Sequence, residues 1–205
     1  MIVAIVGAGF SGCQLALELL RRNEPGLRVI LIETDGCFGP GRAYGARSRE
    51  LLLNTRAGNL GVYHDEPGHF LDWLRAHHPT LAEQDGFAPR RIFGDYLLQL
   101  TLERARCTRP GGAPLELVRG RVTALDASVD DVAITLDDSR RIVADRAVIC
   151  TGMSTPRLPD VPGVRCVDHQ RSIPDPWAEE LFERIDPQHS VVILGTGLTM
   201  VDAVL

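Results

Sequence analysis

The sequence predicts an α/β fold of Rossmann-like kind, with a parallel sheet, a small antiparallel β-meander and the start of a second unit of the same sort. Three observations predict it. An apolar run from Met1 to Val6 is followed at once by spaced glycines and then by apolar residues at helical spacing. A second apolar run, Leu27 to Ile32, closes a β-α-β unit of about thirty residues. Near the end of the chain, Ser190 to Leu194 and the glycines that follow look like the beginning again.

Taken in order, Met1 to Val6 is apolar without interruption and mostly β-branched, as suits a parallel strand buried on both faces. From Phe10 onward, Leu15, Ala16, Leu19 and Leu20 keep helical period, and Arg21 and Arg22 put positive charge at the helix's negative end. Asn23, Glu24, Pro25 and Gly26 form the turn into Leu27–Ile32. Thr34 to Glu50 is glycine-rich and aperiodic, a loop of a length that is usually functional or disordered. Pro67 to His78 is expected to be a short helix with Phe70, Trp73 and Leu74 inward, and Arg91 to Arg106 a longer one, with Pro79 to Pro89 connecting them. Leu115 to Val118, Arg121 to Leu125 and Val129 to Leu136 read as strands, the last pair as a meander with its turn at Asp137, Asp138 and Ser139. Ala147 to Cys150 returns to a buried strand. Pro156, Pro159, Pro162, Pro174 and Pro176 mark a connecting segment, after which Ser190 to Leu194 is expected to be another buried strand and Thr199 to Leu205 a helix start. The expected organisation is a dinucleotide-binding domain over 1–155, a proline-rich connection over 156–189, and an incomplete nucleotide-binding unit over 190–205.

A net charge of -5 and a pI near 5.7 supply no basic field for a phosphate backbone, so nucleic acid is excluded as the expected partner. No window reaches the roughly 18 apolar residues of a membrane helix, and the opening apolar run is too short for a signal peptide. The expectation is a cytoplasmic protein, acting on a small molecule, with its oligomeric state open. Five scattered cysteines (Cys13, Cys37, Cys107, Cys150 and Cys166), none in a Cys-x-x-Cys pair, argue for reduced, mostly buried thiols and against a dithiol redox centre.

The chemistry resides in the glycines. In Gly7-x-Gly9-x-x-Gly12 the first permits a tight turn, the second lets backbone approach a pyrophosphate, and the third allows close helix-to-strand packing. Phe10 and Ser11 lie inside the turn, whose free N–H groups and positive dipole end face the diphosphate. Glu33 ends the second strand about twenty residues later, where a carboxylate accepts hydrogen bonds from ribose hydroxyls and would repel a 2′-phosphate. Three spaced glycines alone are equally a structural turn. With strand, glycines, helix, strand and acid in one register they read as a dinucleotide site. Gly195 and Gly197 repeat two of the three glycines, with Met200 in the third place. His64, His69, His77, His78, His169 and His189 form no spaced ligand set, so no metal site is expected. Ser11 belongs to the phosphate turn, not to a hydrolase elbow.

Beyond these readings, IVGAGFSG, the LIE ending at Glu33, GPGRAYG, LLLNT at 51–55, HDEPGHFLDWL at 64–74, FAPRRIFGDYL at 87–97 and LGTGLTMVD resemble the FAD/NAD(P)-binding flavoproteins that include FAD-dependent urate hydroxylase-like proteins. They are similar also to N-hydroxylating flavin monooxygenases. The resemblance implies that the first motif holds FAD and the second opens an NAD(P)H domain, making the chain part of an FAD-dependent oxidoreductase of monooxygenase type. It implies roles for Leu53 and Asn54 near the flavin, for Val122 beside the adenine, and for Thr151 and Gly152 as the family's Ala-Thr-Gly turn with Cys150 in place of alanine. Arg42, in the glycine loop, would approach the pyrophosphate as a charge-assisted donor. No side chain is singled out as catalytic, because the cofactor carries the chemistry. Two alternatives stay open: an NAD-dependent dehydrogenase without flavin, and a non-catalytic nucleotide-binding module.

Overall fold

In this computed structural model, residues 1–45, 51–107, 112–153, 172–173, 175 and 184–204 are described. In chain order they form β1 (Ile2–Val6), α1 (Phe10–Arg21), β2 (Arg28–Glu33), α2 (Gly41–Tyr44), α3 (His69–His77) and α4 (Arg90–Arg106). There follow β3 (Leu115–Arg119), β4 (Val122–Ala127), β5 (Val132–Leu136), β6 (Arg141–Ala144), β7 (Arg146–Ile149) and α5 (Leu198–Val204). The chain divides into two units, Met1–Gly152 and Met153–Leu205.

In the first unit, β3-β2-β1-β7 make a four-stranded parallel sheet and β4-β5-β6 a separate antiparallel one. β1 and the inner residues of β2, Val29–Ile32, are apolar because both of their faces are covered. Val3, Ile5, Val29 and Leu31 face Cys13, Ala16 and Leu20 of α1. Ala4, Val6, Ile30 and Ile32 face Ile134 and Leu136 of β5 and Ala144 of β6. A further core gathers Phe70, Leu71, Trp73 and Leu74 of α3 with Ile92, Phe93, Tyr96 and Leu97 of α4, with the three inward residues expected of the first helix among them. The buried Tyr96 hydroxyl accepts a hydrogen bond from the Val62 N–H at 3.1 Å and is bonded to His69 Nδ1 at 2.7 Å, which ties the segment before α3 to α4.

Several expectations are corrected. The Thr34–Glu50 loop, as far as Gly45, is docked: a Cβ on Gly39 would lie 2.6 Å from the Leu98 N of α4, and one on Gly94 would lie 2.5 Å from the Tyr44 carbonyl oxygen. Residues 46–50 lie outside the described part. The strand expected from Val129 begins at Val132, because Ser128 Oγ accepts from the Asp131 N–H at 3.0 Å and closes a turn that leaves Val129 95% exposed. The turn at Asp137–Ser139 then leads to an unexpected third strand, β6. β7 lies at one edge of its sheet, and Ile149 is exposed. Of the thiols, Cys13 is buried, Cys107 and Cys150 are half-buried and Cys37 is exposed. Cys166 and the expected proline connection at 156, 159, 162, 174 and 176 fall outside the described residues.

The second unit carries the largest correction. Ser190–Leu194 is not a strand: it pairs with nothing among the described residues, and Val191, Val192, Ile193 and Leu194 are all exposed. A parallel strand is buried by its neighbours, and β-branched composition cannot supply them. The helix expected after the glycines is present as α5.

Candidate functional site

The parallel register sets the geometry. β1 pairs with β2 so that Val6 lies opposite Ile32, and the Gly7 N–H donates to the Ile32 carbonyl at 2.8 Å. Glu33, the next residue of β2, is thereby brought beside the turn between β1 and α1. Its Oε2 accepts from the Ala8 N–H at 2.7 Å and its Oε1 from the Thr34 N–H at 2.7 Å. Each carboxylate oxygen keeps a lone pair for a further donor such as a sugar hydroxyl.

Two of the three glycines, Gly7 and Gly12, do the work expected of them, and the surroundings show how. Gly7 has φ +99, and a Cβ there would fall 2.3 Å from the Cys150 carbonyl oxygen. A Cβ at Gly12 would fall 1.9 Å from the Gly7 carbonyl oxygen, so α1 can lie this close only without a side chain. Gly9 differs. It caps α1 with φ -73, and its Cβ would meet only Gly41 Cα, at an ordinary 3.5 Å. Among the described residues, neither strain nor packing demands glycine at this position. α1 has no side-chain cap hydrogen bond, and Ser11 is exposed in its first turn. Phe10 is half-buried against Tyr44 and Phe93, with ring centroids 6.0 and 5.8 Å away.

Two loops border this turn. After β7 the Cys150 N–H donates to the Val6 carbonyl at 2.7 Å, which sets Cys150 against Gly7 and leaves Thr151 and Gly152 exposed just beyond it. From the other side the Gly39 N–H donates to the Ala8 carbonyl at 2.8 Å, and a Cβ on Gly41 would lie 2.7 Å from Gly9 Cα. Sequence reasoning placed Gly39 and Gly41 in a loop but not against the turn; the GPG spacing was the available signal. Arg42 follows, exposed, on α2.

The remaining expected residues are more dispersed. Leu53 is buried, its N–H donating to the Ala88 carbonyl at 2.9 Å, while exposed Asn54 accepts from Arg90 Nη2 at 3.2 Å. Val122 pairs with Leu136 and packs, half-buried, against the core between the two sheets. Gly195 and Gly197 lie in the second unit, where an added Cβ on either would meet nothing within 4 Å. Below the turn, burial pushes the Cys13 thiol up to about 11, and its Sγ donates to the Ala8 carbonyl at 3.2 Å. Elsewhere the fold joins Glu18 to His64 and Asp65, with ligand atoms within 4.8 Å of one another at the surface. Arg21 occupies that cluster as the cation, at 2.6 Å from Asp65.

A family described as FAD-NAD(P)-binding matches residues 4–154. The chain belongs to that family. FAD and NAD(P) are therefore its cofactor class, and the uncapped helix start, the open Gly9 and the carboxylate of Glu33 fit a dinucleotide diphosphate and ribose. No curated protein sequence matches the chain. Among solved structures it is similar to a flavin-containing monooxygenase from Stenotrophomonas maltophilia, at 21% identity and a TM-score of 0.54 over 77% of this chain and 40% of that one. OTEMO in complex with FAD and NADP matches at 21% identity and a TM-score of 0.53, over 80% of this chain and 28% of that one. Cyclohexanone monooxygenase in an open form matches at 21% identity and a TM-score of 0.53, over 79% and 29%. These likenesses establish the fold. The chain spans well under half the length of each. Among the described residues of this family member, no helix is long and apolar enough to cross a membrane.

Proposed function

We propose that the chain is the FAD-holding part of an oxidoreductase that takes electrons from NAD(P)H, a monooxygenase acting on a small molecule being the finer reading. The observation that carries it is the Glu33 carboxylate seated in the glycine turn, 2.7 Å from the Ala8 N–H, beside a Gly9 that the fold itself does not require. In this reading the N–H groups at the start of α1 bind the diphosphate, Glu33 orients the adenosine ribose, and Arg42 adds a cation at the phosphates. Leu53 and Asn54 line the flavin side, Val122 the adenine side, and Thr151 and Gly152 border the diphosphate. Bound FAD supplies two-electron redox chemistry, and the protein supplies position and electrostatics. Gly195 and Gly197, before α5, form the start of the NAD(P)-binding unit, with 156–189 as the connection. Family membership supports the cofactors, and the three monooxygenase-like folds support the reaction class. The likeness to urate hydroxylase-like proteins rests on the sequence motifs alone.

Reconstitution tests the proposal. The chain should retain yellow FAD through gel filtration and gain thermal stability with it, by about 2.7 kcal/mol at a hundredfold excess over Kd. Stabilisation by NAD with none by FAD would replace it with the flavin-free dehydrogenase reading.

A further inference from the structure

The geometry points to Arg119 as a binding residue for the adenine ring of the dinucleotide, lying flat against the base on the β3 side of Glu33. This assignment rests on the flavin reading above. Glu33 and Arg119 are register partners at the carboxyl ends of neighbouring strands, β2 and β3. Register partners in a parallel pair project to the same face of the sheet. The sheet order β3-β2-β1 then lays out the ligand. A diphosphate on the glycine turn sits over β1 and a ribose on Glu33 sits at the end of β2. The base, which leaves the ribose on the side away from the phosphate, continues toward the end of β3. Ligands of open parallel sheets occupy this carboxyl edge.

Arg119 is prepared for that position. A Cβ on Gly36, in the segment leaving β2, would fall 3.2 Å from Arg119 Cδ, 3.5 Å from its Cγ and 3.8 Å from its Cβ. The missing side chain at Gly36 makes a bed for the arginine stem, which is laid along the loop that follows Glu33. The strand end is held too: the Gly120 N–H donates to the Glu33 carbonyl at 2.9 Å, and Arg140 Nη2 donates to the Arg119 carbonyl at 2.5 Å. Only the backbone of Arg119 is engaged in this way. Among the described residues its guanidinium takes no hydrogen bond or ion pair. A planar, weakly hydrated cation on a supported stem is suited to stack on an aromatic base. A 2′-phosphate is the other group such a cation could read, and the Glu33 carboxylate next to it disfavours that one.

Titration of the full chain and three variants with FAD and with ADP tests the assignment. Arg119→Ala is expected to weaken both ligands by about tenfold, with the unliganded unfolding midpoint unchanged because the side chain is exposed. Arg119→Tyr, which stacks without charge, should restore most of the loss, and Arg119→Lys, which has charge without a plane, should not. Unchanged affinity in Arg119→Ala overturns the assignment and leaves the flavin reading intact. Rescue by lysine and not by tyrosine overturns it in favour of a phosphate contact. A wild-type chain that binds no FAD overturns both readings.

Discussion

The two glycine turns share a pattern and differ in nearly everything around it. At Gly7-x-Gly9-x-x-Gly12 the preceding strand is paired on both sides, and two of the glycines are required by backbone oxygens 2.3 and 1.9 Å from where a Cβ would be. At Gly195-x-Gly197-x-x-Met200 the preceding run is unpaired among the described residues, and an added Cβ would meet nothing within 4 Å at either glycine. Residue 13, one place after the last fingerprint position, is a buried cysteine in the first turn; its counterpart in the second, Val201, is 42% exposed. The meaning of a glycine fingerprint therefore comes from its neighbours, and similar letters can mark a closely packed turn or an open one.

The largest effect that sharpens this contrast is expected at Gly12. Gly12→Ala must move α1 off β1 and should cost more than about 3 kcal/mol or prevent folding, read by urea unfolding. A mild Gly12→Ala would mean that the first turn is as loose as the second. Next comes a pH effect whose largest thiol contribution lies under the first turn. The Cys13 thiol titrates near 9.0 when unfolded and about 11 when folded, so its contribution is complete below pH 9. Between pH 9 and 11 the unfolded chain loses its proton first, and stability should fall by about 3 kcal/mol at most. Cys13→Ala should make the fall in that window shallower, leaving the smaller contributions of Cys37, Cys150 and the tyrosines Tyr44, Tyr63 and Tyr96, whose pKa values burial also raises; an unchanged slope would deny the buried thiol. A smaller change is expected from Glu33→Gln, which puts an amide N–H₂ where one of two N–H groups needs an acceptor, at a cost of about 1–3 kcal/mol together with weaker FAD binding. Smallest of all, Gly197→Ala should leave unfolding within about 0.5 kcal/mol of wild type. A large loss there would show that the second turn is packed after all.

What was legible in the sequence follows from the range of the forces involved. β1, α1 and β2 were readable because two-sided burial and helical period are written locally, and Glu33 because a β-α-β unit has a fixed length. The approach of Gly41 to Gly9 was not, since it depends on α4 holding the loop through Gly94 and Leu98, far away in the chain. β6 escaped because four residues opening on Arg141 carry little pattern, and Val129 was drawn into a strand because nothing in its composition reveals the Ser128–Asp131 turn. Ser190–Leu194 misled for a physical reason: apolar β-branched residues favour a buried strand, but partners do the burying. Glu18 joined His64 and Asp65 only through the tertiary fold, as did Arg119 and Gly36.

Gly9 is where folding and binding separate most cleanly, because its Cβ would disturb neither φ nor packing. Titration of wild type and Gly9→Ala with FAD, alongside their unfolding midpoints, is accordingly the most direct measurement. The account predicts equal midpoints and at least about tenfold weaker FAD binding in the variant, or about 1.4 kcal/mol. Equal affinity in a folded Gly9→Ala would contradict it, since no diphosphate would then rest on that turn.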